Sequence, residues 1–273
     1  GSPPVIGRLR WAATLQVAGA VLLLFVGFVV VRGALRAERE RMWSAMAREL
    51  AHQMGTPLTS LKGWHEVLRL PAEERSRMAS DARIAREVAA DLDRLERVSR
   101  RFELIGTPPG LSPMRVESVI RELEGYLRPR LPKAGPGVDL RVRVGRDLPS
   151  VNANQVLLVW ALENLVKNAL DALAGRGGRI RIAATRAENG IRFVVADNGP
   201  GVDPEIRGSL FEPGVTTKRG GWGVGLSLAR RIVEDVHDGS LRGEDRPGGG
   251  ARFEALIPVE SKRRRRRREA EQK

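Results

Sequence analysis

A long apolar run lies near the start of the chain. Residues 11–31 carry no charged side chain and are interrupted only by Thr14, Gln16 and small residues. As a helix, these 21 positions are long enough to cross a hydrocarbon core of about 30 Å. The run is too long for a typical signal-peptide core, and no small-residue cleavage site follows it. We therefore interpret it as a transmembrane helix after an N-terminal segment, residues 1–10; a signal peptide or a buried core helix is the alternative.

Arginines flank this run unevenly. Four arginines follow its end, namely Arg32, Arg36, Arg39 and Arg41, whereas only two precede its start, namely Arg8 and Arg10. Because the more basic flank stays inside, we expect a single-pass protein of the inner or cytoplasmic membrane whose remaining residues lie in the cytoplasm. Position 1 is Gly rather than Met, and a signal would enter through the membrane helix, a missing N-terminal part or a partner.

The next region has the apolar pattern of a helical hairpin. Between residues 34 and 70 apolar residues recur at spacings of three and four, which predicts one long helix that Pro57 kinks. After a break at residues 70–74, a second stripe from Ile84 to Phe102 predicts a second helix ending near Leu104. Because the hairpin over residues 32–105 buries little apolar surface alone, we expect two chains to pair as a four-helix bundle. Residues 106–110, rich in Gly and Pro, indicate a linker.

Beyond the linker, strands alternate with helices. The periodicity predicts helices at 116–127, 154–173 and 226–235, and strands at 138–144, 179–184, 191–196 and 252–258. Glu188-Asn189-Gly190 between the middle strands is a hairpin signal. Residues 111–260 are therefore predicted to form a two-layer α/β sandwich. The predicted fold class is multidomain: a transmembrane helix, a helical-hairpin dimerisation domain and an α/β domain.

Composition and charge exclude several classes of site. The chain has no Cys, so disulfides and thiolate metal sites are excluded. A net charge of +14 favours nucleic acid or an acidic membrane as a partner. However, eight of the basic residues lie in residues 261–273, and no nucleic-acid-binding motif is found. We expect no direct nucleic-acid partner. The basic tail, residues 261–273, is predicted to be disordered, and contact with anionic lipid is the alternative.

His52 is the first candidate for chemistry. It lies two positions after Leu50, about 200° around the helix, and therefore points away from the apolar stripe. A neutral imidazole is nucleophilic near pH 7, although a histidine on a helix surface is more often simply solvated. Glu49, one turn before His52, is the nearest carboxylate that could orient or deprotonate the ring; a solvated salt-bridge role is the alternative.

Amide and carboxylate side chains in the α/β region suit a nucleotide site. Asn164 and Asn168 lie one turn apart on a predicted helix, and asparagine oxygen is a hard ligand that suits Mg²⁺; a polar surface is the alternative. Asp197 ends a predicted strand and is followed by Gly199 and Gly201. A carboxylate in this setting can accept the exocyclic amine of adenine, or the stretch is a plain turn. Alternating glycines at 221, 223 and 225 precede a helix and can expose its amides to phosphate.

These stretches, in this order, resemble sensor histidine kinases. His52, Thr56 and Pro57 match the H box, with Gln53 in place of the usual acidic residue. Residues 163–172 resemble the N box of the Bergerat-type ATP-binding fold. Residues 194–202 resemble its aspartate–glycine box, residues 210–218 its phenylalanine box and residues 221–227 its second glycine box, and three glycines at 248–250 complete the set. The resemblance covers about residues 40–260.

The resemblance implies a reaction and a set of site residues. ATP would phosphorylate His52, and the phosphoryl group would pass to an aspartate on the receiver domain of a response regulator. Thr56 would position water in an accompanying phosphatase reaction, and residues 203–220 would close as a lid. Asn168 would bind Mg²⁺, Asp197 would contact adenine, and the further nucleotide-binding residues are Asn164, Lys167, Gly199, Gly201, Phe211, Thr217, Lys218, Gly221, Gly223, Gly225 and Leu226. The alternatives are an ATP-binding pseudokinase scaffold, which Gln53 favours, and another ATPase of the same fold.

Overall fold

The computed structural model describes residues 4–104, 110–131, 136–218 and 223–259. Internal contacts divide the chain into two units, residues 1–45 and residues 46–273. Helix α1 (Pro4–Arg69) is continuous over 66 residues, with Pro57 inside it. The predicted transmembrane helix and first hairpin helix are therefore consecutive stretches of one helix. Of the predicted linker only Gly110 is described, and the predicted basic tail lies outside the described residues.

In the first unit, large apolar side chains of α1 are exposed. Their exposed fractions lie between 49% and 76%, and the residues are Val21, Leu22, Leu23, Leu24, Phe25, Val26, Phe28, Val29, Val30 and Val31. The Arg32 guanidinium follows this run and lies 5.4 Å from the centre of the Phe28 ring. Within the described part of the chain, no helix is both long enough and apolar enough to span a membrane.

The hairpin contains one more helix than predicted. The break expected at residues 70–74 instead begins a short helix, α2 (Ala72–Met78), and the long return helix α3 (Asp81–Glu103) follows. Pro71 immediately precedes α2, and Glu73 and Glu74 lie in its first turn, where carboxylates interact favourably with the helix dipole. These polar start signals, rather than an apolar stripe, account for the helix.

Five strands form the main sheet of the second unit. They are β2 (Val138–Val144), β4 (Gly178–Ala187), β5 (Gly190–Asp197), β6 (Ser240–Asp245) and β7 (Ala251–Pro258), in the order β2-β4-β5-β7-β6. The β2–β4 pair is parallel and the other pairs are antiparallel. The predicted hairpin is confirmed, since Ala187 pairs with Gly190 across its turn. Two short strands, β1 (Ser112–Met114) and β3 (Val151–Ala153), form a separate antiparallel pair.

Three helices cover one face of this sheet. They are α4 (Val116–Leu127), α5 (Gln155–Ala172) and α6 (Gly225–Arg231), and α6 continues as a π-helix over Ile232–Val236. Alternate residues of β4, β5 and β7 are buried beneath them, including Ile182, Phe193 and Phe253. This arrangement confirms the predicted two-layer α/β sandwich. Short 3-10 helices span Arg128–Arg130 and Pro204–Ser209.

The predicted elements of this domain agree with the structure closely, but three strands were not predicted. The helix at 116–127 and the strand at 138–144 have the predicted bounds, and the other predicted elements differ by one to three residues at an end. Strand β6 was missed because its residues lack an alternating apolar pattern. It lies at the sheet edge, where Gly243 packs against the Phe253 ring with no room for a Cβ.

Candidate nucleotide and phosphotransfer site

Helix α5 carries the amides predicted to face a nucleotide. Its N-terminus is capped by Asn154, whose Oδ1 accepts a hydrogen bond from the Leu157 N–H at 3.1 Å. Asn164 is buried and donates from Nδ2 to the Trp160 carbonyl oxygen at 2.8 Å. A Cβ added at Gly225 would lie 3.2 Å from Asn164 Oδ1. The structure thus brings two predicted site residues together, because glycine lets the start of α6 approach the amide.

Asn168, one turn further along α5, contacts the predicted lid lysine. Lys218 Nζ donates to Asn168 Oδ1 at 3.0 Å and to Asp171 Oδ2 at 2.8 Å. Two acceptor oxygens therefore converge on one ammonium group. Amide and carboxylate oxygens are ligands that Mg²⁺ accepts, so the residues present fit the metal predicted at Asn168. Asp171 was not predicted, although its position three residues after Asn168 places it on the same helix face.

Asp197 ends β5 with its side chain 1% exposed. Its Oδ1 accepts hydrogen bonds from the backbone N–H groups of Gly199 at 2.8 Å and Ala251 at 3.2 Å. Within the described residues, no hydrogen bond reaches its Oδ2. One carboxylate oxygen therefore fixes the orientation of the side chain, and the other can accept a donor such as the adenine amine. Arg246, which was not predicted, donates from Nη1 to the Asp197 carbonyl oxygen at 2.5 Å.

The loops around Asp197 hold most of the remaining predicted residues. Gly201 adopts φ +90°, and the next residue, Val202, donates its N–H to Asp245 Oδ1 at 2.7 Å. Phe211 is half-buried and meets the Phe253 ring edge-on, with centroids 6.4 Å apart. The Gly223 carbonyl oxygen accepts the Gly214 N–H at 3.1 Å, which closes the base of the predicted lid. Thr217 is exposed, Leu226 is half-buried on α6, and Gly221 lies outside the described residues.

The H box lies on α1 within the second unit. The side chains of His52 and Glu49 lie outside the described part of the structure. Gln53 and Thr56 line a cavity of about 330 Å³ together with Asn164 and Lys167 of α5. Residues of the predicted H box and N box therefore share one cavity.

A buried ion pair joins the hairpin to α5. Arg101 of α3 donates from Nη2 to Glu163 Oε2, and the two side chains are only 7% and 8% exposed. The Arg101 guanidinium also lies 5.2 Å from the centre of the buried Trp160 ring. Burial raises the pKa of the Glu163 carboxyl, while the Arg101 charge and hydrogen bond oppose that shift. No motif predicted this pair, since its partners lie 62 residues apart.

Known proteins resemble both the domain and the chain. Residues 153–261 match the family described as histidine kinase-, DNA gyrase B- and HSP90-like ATPase. The chain is similar to the sensory histidine kinase/phosphatase NtrB of Rhizobium leguminosarum bv. phaseoli, with 29% identity over 94% of this chain and 72% of NtrB. The solved catalytic domain of histidine kinase ThkA is 30% identical over 55% of this chain and 97% of that domain, with a TM-score of 0.50.

Two larger solved structures share the fold. Full-length ShkA in complex with AMPPNP is 27% identical over 78% of this chain and 46% of ShkA, with a TM-score of 0.52. ThkA in complex with the response regulator protein TrrA is 24% identical over 82% of this chain and 64% of that chain, with a TM-score of 0.50.

The fold and the site therefore define an ATP-binding domain of the histidine kinase type. The chain belongs to the sensor histidine kinases. Among eight of the curated relatives that it matches, it spans between 29% and 72% of their length.

Proposed function

We propose that this chain transfers the γ-phosphoryl group of ATP to His52 and then to an aspartate on the receiver domain of a response regulator. The observation that carries the proposal is the cavity that Gln53 and Thr56 of the H box share with Asn164 and Lys167 of the N box. Such a cavity can bring nucleophile and phosphate together. Positioning and charge neutralisation are most of what phosphoryl transfer requires from a protein.

In the first step, a ring nitrogen of His52 bonds to the γ-phosphorus as the bond from that phosphorus to the bridging oxygen breaks and ADP leaves. The attacking nitrogen is the unprotonated one, so the ring must lose the proton from its other nitrogen to become neutral again. Gln53 is neutral and cannot accept this proton. We assign this role, and the orientation of the ring, to Glu49, one helical turn before His52.

The remaining site residues would bind and neutralise the nucleotide. Asn168, with Asp171, would hold Mg²⁺, which supplies positive charge beside the phosphates. Lys218, which contacts the same two oxygens, would move to a phosphate oxygen. Asp197 Oδ2 would accept the adenine amine, and residues 203–220 would close over the nucleotide as a lid. Thr56 would position water for the phosphatase reaction.

We also propose three partners. Apolar side chains of the hairpin are exposed in the single chain, including Met54, Leu58, Leu68 and Leu92, and a homodimeric four-helix bundle would bury them. The complex of ThkA with TrrA supports a response regulator as the receiver of the phosphoryl group. The exposed apolar run of α1 and its arginine flank support an inner or cytoplasmic membrane location, with the catalytic part in the cytoplasm.

Labelling with [γ-³²P]ATP tests the proposal. The chain should acquire acid-labile, base-stable phosphate, and His52→Ala should abolish it while leaving ATP binding intact. His65→Ala is the matched control, since His65 is an exposed histidine on the same helix, and it should label normally. Asn168→Ala should weaken both Mg²⁺-dependent ATP binding and labelling.

Other outcomes identify the alternatives. ATP binding without label would indicate a pseudokinase scaffold, and ATP hydrolysis without label would indicate another ATPase of this fold.

For Glu49, substitution by Gln should slow labelling on the order of 10²-fold. Labelling at the parent rate would remove Glu49 from the mechanism.

A further inference from the structure

The cavity between the hairpin and the ATP-binding domain carries an excess of positive charge. Besides the H-box and N-box residues, its wall includes Arg94, Arg97 and Arg101 of α3 and Arg130, which follows α4. With Lys167 these make five basic side chains, and Glu163 is the acidic residue among those that line the cavity.

The acidic groups nearby neutralise only part of this charge. Glu163 is engaged by Arg101, and Asp91 lies 3.7 Å from Arg94. Within the described residues, neither Arg97 nor Arg130 forms an ion pair with a carboxylate. Two guanidinium groups therefore face the cavity without a direct ion-pair partner in the described part of the chain, and the Glu163 carboxylate acts on both only from a distance.

Tyr126 holds these two arginines in place. Their guanidinium carbons lie 5.5 Å (Arg97) and 4.0 Å (Arg130) from the centre of its ring. Arg130 also donates from Nη1 to the Tyr126 carbonyl oxygen at 2.7 Å. Their orientation is thus fixed before any ligand arrives, which lowers the entropic cost of binding one.

One hydrogen-bond donor of the Arg130 side chain lacks an acceptor in the part of the chain that the structure describes. Its Nε is buried and has no hydrogen-bond partner among the described residues. Burial lowers the pKa of the Arg130 guanidinium, Tyr126 and Glu163 oppose that shift, and the charges of Arg94 and Arg97 add to it. A buried donor without an acceptor and like charges held together both raise the free energy of this state. An anion in the cavity would relieve both.

We propose that this cavity is a binding site for an oxyanion of the phosphate class, held by Arg97 and Arg130. Guanidinium groups match tetrahedral oxyanions through paired, charge-assisted hydrogen bonds. A volume of about 330 Å³ accommodates a small phosphorylated ligand. The phosphoryl group has two possible sources, an anion free in solution or the group carried on His52. In either case the bound anion would link α3 of the hairpin to the segment that follows α4.

Calorimetric titration of the full chain with inorganic phosphate tests the site. The titration is done at constant ionic strength with ADP and Mg²⁺ at saturation, which fills the nucleotide site without placing a γ-phosphoryl group in the cavity. We expect saturable binding of one phosphate per chain. Arg97→Gln and Arg130→Gln should each weaken it by about tenfold or more, the usual effect of losing a charge-assisted hydrogen bond. Arg97 and Arg130 lie on different elements. If one variant fails to fold, the phosphate affinity of the other variant still tests the site.

Arg100→Gln is the matched control. Arg100 lies on α3 next to Arg101, but it is exposed and paired with Glu96, so the variant removes the same charge without changing the cavity and should bind phosphate as the parent does. Absence of saturable binding, or equal binding by the parent and the two cavity variants, would overturn the proposal. Binding that persists after His52 is phosphorylated identifies the free anion as the source, and binding lost on phosphorylation identifies the group on His52. The titration of the unphosphorylated chain needs no kinase activity, so the phosphate site stands or fails separately from the proposed function, whereas the choice between the two sources rests on the phosphorylation of His52 in that function.

Discussion

The buried pair between Arg101 and Glu163 allows a quantitative test of how the hairpin is held against the ATP-binding domain. Both side chains are more than 90% buried, and the Arg101 guanidinium also packs over Trp160. Replacing Glu163 by Leu leaves a buried guanidinium without its counter-ion. Removal of one partner from such a pair typically costs about 3–5 kcal/mol. Arg101→Met leaves a buried carboxylate and should cost a similar amount.

The double variant should recover most of this loss. Two apolar side chains of similar volume avoid the cost of desolvating two charges, and such replacements are often neutral or stabilising. We therefore expect the double variant, Arg101→Met with Glu163→Leu, to lie within about 1 kcal/mol of the parent. The strong non-additivity is the signature of a direct interaction.

Native-state hydrogen exchange of the α5 amides in the full chain measures these free energies of opening. An exposed pair on the same helix provides the control: Arg100 and Glu96 are 62% and 60% exposed, and Glu96→Leu should change protection by less than about 1 kcal/mol. If Glu163→Leu has an effect as small as the control, or if the single effects simply add, the pair does not hold α3 against α5.

Three further predictions follow from buried contacts. Asp197→Asn keeps an acceptor at Oδ1 but replaces Oδ2 by a donor, so ATP affinity measured by calorimetry should fall by about tenfold or more while the melting temperature changes little; unchanged affinity would contradict the adenine assignment. Gly250→Ala should destabilise the domain far more than Gly248→Ala in urea unfolding, because both have positive φ but only at Gly250 would a Cβ overlap the Asp197 carbonyl oxygen; equal effects would contradict the geometry. Burial lowers the pKa of His237, whose Nε2 accepts the Asn154 N–H at 3.0 Å, so the unfolded chain binds a proton that the folded chain does not. Stability should therefore be fully present above the unfolded pKa of about 6.5 and fall as the pH drops below it, and His237→Gln should remove that slope.

Local pattern was enough to find most elements of the α/β domain. The helix at 116–127 and the strand at 138–144 follow from apolar periodicity alone, since each buries one face of a regular element. The hairpin at 188–189 follows from its Asn-Gly signal. Strand β6 and helix α2 could not be found in this way. The first is defined by pairing with β7, and the second by charges and a proline at its start.

The candidate site, too, could be predicted from the sequence only in part. The sequence by itself determined its chemical groups and their order along the chain: a histidine followed by Thr-Pro, two asparagines one turn apart and an aspartate before glycines. Only the tertiary structure decided which of the charged side chains contact which partners. It pairs Lys218 with Asn168 across 50 residues and Arg101 with Glu163 across 62, and it brings Arg97 and Arg130 to one tyrosine ring. Periodicity reports only which face of an element is apolar, whereas these contacts depend on how separate elements pack, and packing is set by the complementary shapes of side chains that are distant in the sequence.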